Sequence, residues 1–259
     1  MTIIQERLDA LDTITLAEGA HDDFESGHCA MEVVAWLAGL GHTDCPECAS
    51  PVLRDFTINL NDQWGHEQRQ KLIPLLPRMV GTAGDGQDEA RSYLALDWLI
   101  RTFTPAWLDL AGLTTEATEL RSLRRIVDMA TAESAGPVVL SVRARAAAAG
   151  DAAWAAARGA ARGAAGAAAW AAAGDAARDA ARDAARDAAG AAAWGAAWDA
   201  AWDAAGAAAR DAAGDAARDV LQPTIEALQA SALDLLDRMI DPSAAMEGRS
   251  RGGPRRRGW

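Results

Sequence analysis

The sequence predicts an all-α protein: a helical N-terminal domain followed by a long Ala-rich helix or a helical hairpin. Three observations predict it. Apolar residues in the first 147 positions recur at three- and four-residue spacing, the period of a half-buried helix. Strand-like sequence is confined to Val138-Val139-Leu140, which leads straight into helix-forming residues. Residues 148–219 consist almost wholly of Ala, Gly, Asp, Arg and Trp, and alanine has the highest helix propensity.

These shifts in composition divide the chain into a helical domain over 1–147, a repeat region over 148–219, a C-terminal helix over 220–241 and a basic tail over 242–259. The tail is Gly- and Arg-rich and is expected to be disordered. Net charge is −12, and residues 1–150 carry 12 basic against 22 acidic groups, so the acidity belongs to the domain rather than to the repeat.

Within the domain, Ile4, Leu8 and Leu11 begin the helical spacing. A second helix is predicted over Ala30–Leu40, with Met31, Val34, Ala35 and Ala38 on its apolar face and Gly39 and Gly41 to stop it. Ser50-Pro51 is an N-cap and N1 pair for a helix from Val52 to Leu60. Residues 66–80 read as a helix that Pro74 and Pro77 kink or end. The stretch Gly81–Gly86 is a loop, Asp88–Thr102 a helix, Pro105 the start of a short one, and 115–129 another. Pro223 suits the first turn of the last helix, whose face is Ile225, Leu228, Ala232, Leu235, Leu236 and Met239.

The repeat has a period of four. From Trp154 to Arg218 every fourth residue is Trp, Arg or Gly, and Asp, when present, follows it directly. Four residues advance a helix by about 40°, so the stripe winds slowly round the surface. From residue 166 onward Trp194, Trp198, Trp202 and Trp170 fall at about 40°, 80°, 120° and 160° round the helix, and a wedge of about 120° that holds the last three carries only Ala, Gly and Trp, with Arg and Asp on the remaining arc. As one helix, residues 151–219 are about 100 Å long. The Gly-Asp pairs at 150–151, 174–175 and 214–215 offer breaks for a hairpin instead, with Gly ending one helix and Asp capping the next.

Several function classes are excluded. No run of about 18 uncharged apolar residues exists to span a membrane, and charges on nearly every turn of the repeat oppose insertion. The N-terminus lacks an apolar signal-peptide segment, which predicts a cytoplasmic protein. Three cysteines do not make a disulfide scaffold. An acidic chain is not a general nucleic-acid coat, although Arg251, Arg255, Arg256 and Arg257 in the tail suit phosphate or an acidic surface. The repeat has no Thr row for ice binding, Gly81–Gly86 lacks the Lys-Ser/Thr of a P-loop, and no nucleophile elbow or His-Glu-x-x-His motif occurs.

The chemistry-bearing cluster is His42-Thr-Asp-Cys45-Pro-Glu-Cys48, with Cys29 upstream. Cys-x-x-Cys lets two thiolates meet one tetrahedral Zn²⁺, and Cys29 and His42 complete a Cys₃His set, with His28 and Glu32 as alternatives beside it. Structural thiols between helices, and a redox dithiol, are the competing readings; a thioredoxin-type site needs a βαβ setting that this sequence lacks. His21, Asp22, Asp23 and Glu25 read as a metal-binding or a solvated loop. Asn61, Asp62, His66 and Glu67 read as a turn before a helix start, and an enzyme working through Asp62, His66 and Glu67 matches no catalytic geometry.

The stretch Cys29–Gly39, then His42–Cys48 running on to Val52, resembles a family of uncharacterised proteins from actinobacteria and their phages. Arg69–Pro74, Val80–Thr82, Asp97-Trp98, Pro105–Leu108 and the Ala-rich repeat followed by Leu228–Asp237 are similar too. The resemblance covers most of the chain and implies no activity. The expected function is that of a non-enzymatic helical adaptor whose repeat self-associates or binds a protein partner through Trp170, Trp194, Trp198 and Trp202. The alternative is a small zinc-stabilised regulatory domain on Cys29, His42, Cys45 and Cys48, with the repeat as spacer.

Overall fold

The computed structural model describes residues 2–159, 211–212 and 215–243, with side chains over 2–147 and 220–243. The chain is all-α, with nine α-helices among the described residues: α1 Gln5–Asp9, α2 Ala30–Leu37, α3 Pro51–Gln63, α4 His66–Gln70, α5 Asp88–Trp98, α6 Thr104–Leu110, α7 Thr114–Ser122, α8 Met129–Ala157 and α9 Asp215–Ile240. Extended pairing among these residues is limited to Arg158-Gly159 lying parallel to Asp211-Ala212.

Local chemistry accounts for most boundaries. Ser50 accepts from the Leu53 backbone N–H, and Pro51 stands at the first helical position, so α3 begins where the sequence predicts. After α4, Pro74 and Pro77 turn the chain into a 3-10 stretch over Ile73–Met79, in keeping with the missing N–H of proline. The helices predicted over 88–102 and from Pro105 form one continuous run. A π-turn at Leu99–Phe103 joins α5 to α6, which relieves the clash of the Pro105 ring with the preceding turn.

Two expectations change, and the one hint of a strand resolves into helix. The helix predicted over 115–129 is two elements: α7 ends at Ser122, and α8 starts afresh behind Asp128, whose carboxylate accepts the Thr131 N–H at 2.8 Å. Val138-Val139-Leu140 lies inside α8, because flanking alanines outweigh three residues of strand preference. Pro223 sits inside α9, because the Ala-rich approach carries the helix back to Asp215.

One core joins these elements. Met31, Val33, Val34 and Leu37 of α2, Leu53, Phe56 and Leu60 of α3, Leu96 and Trp98 of α5, and Leu228, Leu235, Leu236 and Met239 of α9 are all buried in it. α2 is buried nearly all round, wider than the single predicted face. The C-terminal helix packs through its predicted face, with Ile225 only half-buried. Each fully buried Leu or Met contributes ~1.5–3 kcal/mol. The surface pair Arg78–Asp237, with each side chain about half exposed, adds ~0–1 kcal/mol. The apolar face therefore docks α9, and polar contacts fix its register.

Candidate functional site

The start of α2 gathers the most unusual polar chemistry of the described residues. Cys29 is the N-cap and Glu32 the third helical residue, so Cys29-x-x-Glu32 forms a capping box with a thiol where Ser or Thr is usual. The Glu32 carboxylate is 1% exposed. It accepts from the Cys29 N–H at 2.7 Å, the His21 N–H at 2.8 Å and His21 Nδ1 at 2.9 Å. His42 Nε2 lies 3.4 Å from its other side. Burial pushes this carboxyl up, but the donors from His21 and Cys29, with the nearby His42, outweigh it and hold the group below the usual carboxylate range.

His42 Nε2 also reaches the His21 carbonyl at 3.0 Å, which requires the proton on Nε2, as the bond to Glu32 requires it on Nδ1 of His21. Around this centre planar groups stack. His28 lies on Phe24 at 4.2 Å, Phe24 on Trp36 at 4.9 Å, and the Arg7 guanidinium over Trp36 at 5.4 Å. Burial is the main cause that lowers His28, favouring its neutral ring. The arrangement clasps the 17–28 loop to α2 through one buried anion and an aromatic stack.

The four residues of the zinc expectation occupy separate settings. Cys29 is buried at the cap, and burial, with the Glu32 charge beside it, pushes its thiol up to about 12. His42 belongs to the Glu32 centre. Cys45 is exposed, and its Sγ accepts from Arg54 Nη1 at 3.0 Å. Cys48 is buried, its thiol pushed up by burial, and its carbonyl accepts the Gly81 N–H at 2.8 Å and the Ala83 N–H at 3.3 Å. Among the described residues no group of three or more His, Cys, Asp or Glu is placed to hold a metal ion. Trp170, Trp194, Trp198 and Trp202 lie outside the described residues.

No family model, curated protein or solved structure matches the chain.

The remaining polar residues fasten segments. Asn61 is fully buried and bridges the Ala30 N–H to the Ala17 carbonyl. Asp62 accepts from Gly19, and Arg69 donates to the carbonyls of Asn61 and Trp64. His66 and Glu67 are exposed on the first turn of α4, with Asp62 engaged elsewhere. Asp22, Asp23 and Glu25 lie in the clasped loop, where Asp23 caps a local turn by accepting the Ser26 N–H at 2.7 Å.

A second network escapes sequence reasoning. Arg91, fully buried, donates to Asp85 at 2.5 Å, to Asp88 at 3.0 Å and to the Met239 carbonyl at 2.8 Å. Asp88 also accepts from the Ser50 hydroxyl. The Asp88–Arg91 spacing is an ordinary helical ion pair; nothing local marks its partner 148 residues away.

Proposed function

We propose that the protein is a helical adaptor: a closed domain that carries the repeat as an insertion and uses it for self-association or partner capture. The observation that supports this reading is that helices on both sides of the repeat are anchored to the same domain. On the upstream side, α8 buries Val139 and Val142, and Arg145 pairs with Glu116 and Glu119 of α7. On the downstream side, α9 buries Leu228, Leu235, Leu236 and Met239 in the core. The backbone segments that flank the repeat, Arg158-Gly159 and Asp211-Ala212, lie side by side as a parallel pair. In this reading the Trp-bearing wedge of the repeat sequence is the surface that meets a partner. Tryptophan is a preferred residue at the centre of protein interfaces. Among the described residues no helix is long and apolar enough to cross a membrane, which favours a protein partner over a lipid one.

The test is replacement of residues 160–210 by a short Gly-Ser linker, followed by light scattering and thermal unfolding. The expected result is a folded domain with its cooperative transition intact and its association lost. A second variant, with Trp170, Trp194, Trp198 and Trp202 changed to Ala, is expected to lose association with the repeat retained. Unchanged association in either variant overturns the reading.

A further inference from the structure

The three thiols have three different surroundings, and only one is exposed. We propose that Cys45 and Cys48 form an oxidisable pair in this chain, with Cys45 the thiol that meets a peroxide and Cys48 the thiol that resolves it. This assignment is independent of the adaptor reading.

Reactive thiols are exposed and sit beside a cation, while buried thiols in apolar surroundings are inert. Cys45 meets the first description. It is exposed, and the Arg54 guanidinium donates to its sulfur at 3.0 Å. Arg54 is held in turn by Asp55, whose carboxylate accepts from Nε at 2.7 Å. Cys29 meets the second description, 3% exposed and next to the buried Glu32 carboxylate. Cys48 lies between them: three residues from Cys45 in sequence, covered, and on a segment with no regular helix or strand between α2 and α3. Such a segment lets Cys45 swing toward a neighbour that stays fixed. Cys48 is fixed because its carbonyl takes two backbone N–H groups from Gly81 and Ala83. Exposure, a cation at the sulfur and an adjacent second thiol are the features of a cysteine that oxidises reversibly.

The chemistry closes on hydrogen peroxide as oxidant. The Cys45 sulfur attacks one peroxide oxygen, the O–O bond breaks, water leaves and a sulfenic acid forms. The Cys48 sulfur then attacks the Cys45 sulfur, the S–O bond breaks, a second water leaves and the disulfide forms. Two thiols lose two electrons and two protons, and one peroxide becomes two waters. Because Cys48 is covered, the second step waits on local opening, so the sulfenic acid lives long enough to be trapped.

The pair is also connected to the far end of the fold. Two residues after Cys48, the Ser50 N–H donates to Thr82 Oγ1 at 2.9 Å, and the Ser50 hydroxyl meets Asp88. Asp88 holds Arg91, and Arg91 holds the end of α9 through the Met239 carbonyl. This chain of contacts helps to hold the Cys48 end of the pair in place while Cys45 moves to it.

The experiment uses the full chain. Iodoacetamide labelling followed by peptide mass mapping gives the rate at each cysteine, with Cys29 as an internal control. Cys45 is expected to label at least about tenfold faster than Cys29. Arg54→Gln is expected to slow Cys45 several-fold and Arg54→Lys to restore it. Hydrogen peroxide is expected to give an intramolecular Cys45–Cys48 disulfide in the parent chain, and a dimedone-trapped Cys45 sulfenic acid in Cys48→Ser. Equal labelling of Cys45 and Cys29 overturns the proposal. So does an Arg54→Gln rate equal to that of the parent. Disulfides only between separate chains overturn it, as does one tightly held zinc per chain that shields both thiols until a chelator removes it.

Discussion

The starts of α2 and α3 solve the same problem with different parts. Both helices begin behind a capping side chain, Cys29 in one and Ser50 in the other, and both caps are tied to a carboxylate. At α2 the carboxylate is Glu32, inside its own helix, fully buried and surrounded by donors from a loop only 11 residues upstream. At α3 it is Asp88, from another helix and partly exposed, and its importance lies in holding the buried Arg91 that reaches Met239. The first arrangement fastens a local loop, and the second closes the molecule. Damage at the two places should therefore differ in kind, with loss of the first freeing a segment and loss of the second loosening the helix that ends the domain.

The largest effect is expected from Arg91→Leu. The substitution strands the buried Met239 carbonyl and removes the partner of Asp85 and Asp88. The buried charge leaves with Arg91 and the two carboxylates are partly exposed, so the cost is the stranded carbonyl, about 1–3 kcal/mol, plus the lost hydrogen bonds to charged groups, about 1.5–3 kcal/mol. Denaturant unfolding measures it, and hydrogen exchange is expected to show α9 losing protection first. A loss below about 1 kcal/mol, with α9 as protected as before, means that its apolar face alone closes the fold.

Glu32→Gln breaks the other site. It leaves the shape but removes the charge that the Cys29 and His21 donors address, a loss of about 1.5–3 kcal/mol for hydrogen bonds to a charged group. The pH dependence separates charge from shape. The folded Glu32 carboxyl is held below its unfolded value, so its contribution is complete above the unfolded value of about 4.3 and is lost as pH falls through the lower folded one. The parent chain is expected to lose this part of its stability on acidification below about pH 4.3, and Glu32→Gln to lack that part of the slope. Equal acid slopes in the two proteins remove the charge from the account.

A smaller effect tests how closely the loop is seated. Gly27 has φ +141°, and a Cβ there would stand 2.5 Å from the His21 ring. Gly19 has φ +79° with open space around it. Gly27→Ala therefore combines backbone strain with a clash against His21, about 2–3 kcal/mol, whereas Gly19→Ala carries the strain alone, about 1 kcal/mol. Paired thermal unfolding compares them. Equal losses mean that His21 moves aside freely and is not held by Glu32.

The contrast between the two helix starts also explains what the sequence makes legible. Ser50-Pro51 announces α3 because both residues act locally and belong to the common vocabulary of helix starts. Cys29-x-x-Glu32 has the same spacing logic, but cysteine is not a usual cap, so the thiol draws attention as a metal ligand instead. The all-α class is legible because alanine and the apolar period agree over long stretches. The Glu32 centre is only partly so: His21, His42 and Glu32 each stand out, but their meeting depends on a loop path that no period encodes. The Arg91–Met239 contact is illegible for the same reason at a larger scale.

The smallest expected effect decides what Cys29 is for. As a cap, the Cys29 sulfur accepts a helix N–H, and a serine hydroxyl does this at least as well, so Cys29→Ser should change stability by less than about 1 kcal/mol. As a zinc ligand the same change removes one thiolate from a closed site, and serine does not replace it. Elemental analysis of both proteins, run with denaturant unfolding in the presence and absence of a chelator, separates the two. Stability that is indifferent to the chelator, with Cys29→Ser close to the parent, assigns Cys29 to the capping box with Glu32. One zinc per chain in the parent, none in Cys29→Ser, and a chelator that reproduces the variant's loss would make the start of α2 a metal site, leaving Glu32 and His21 as the groups that orient it.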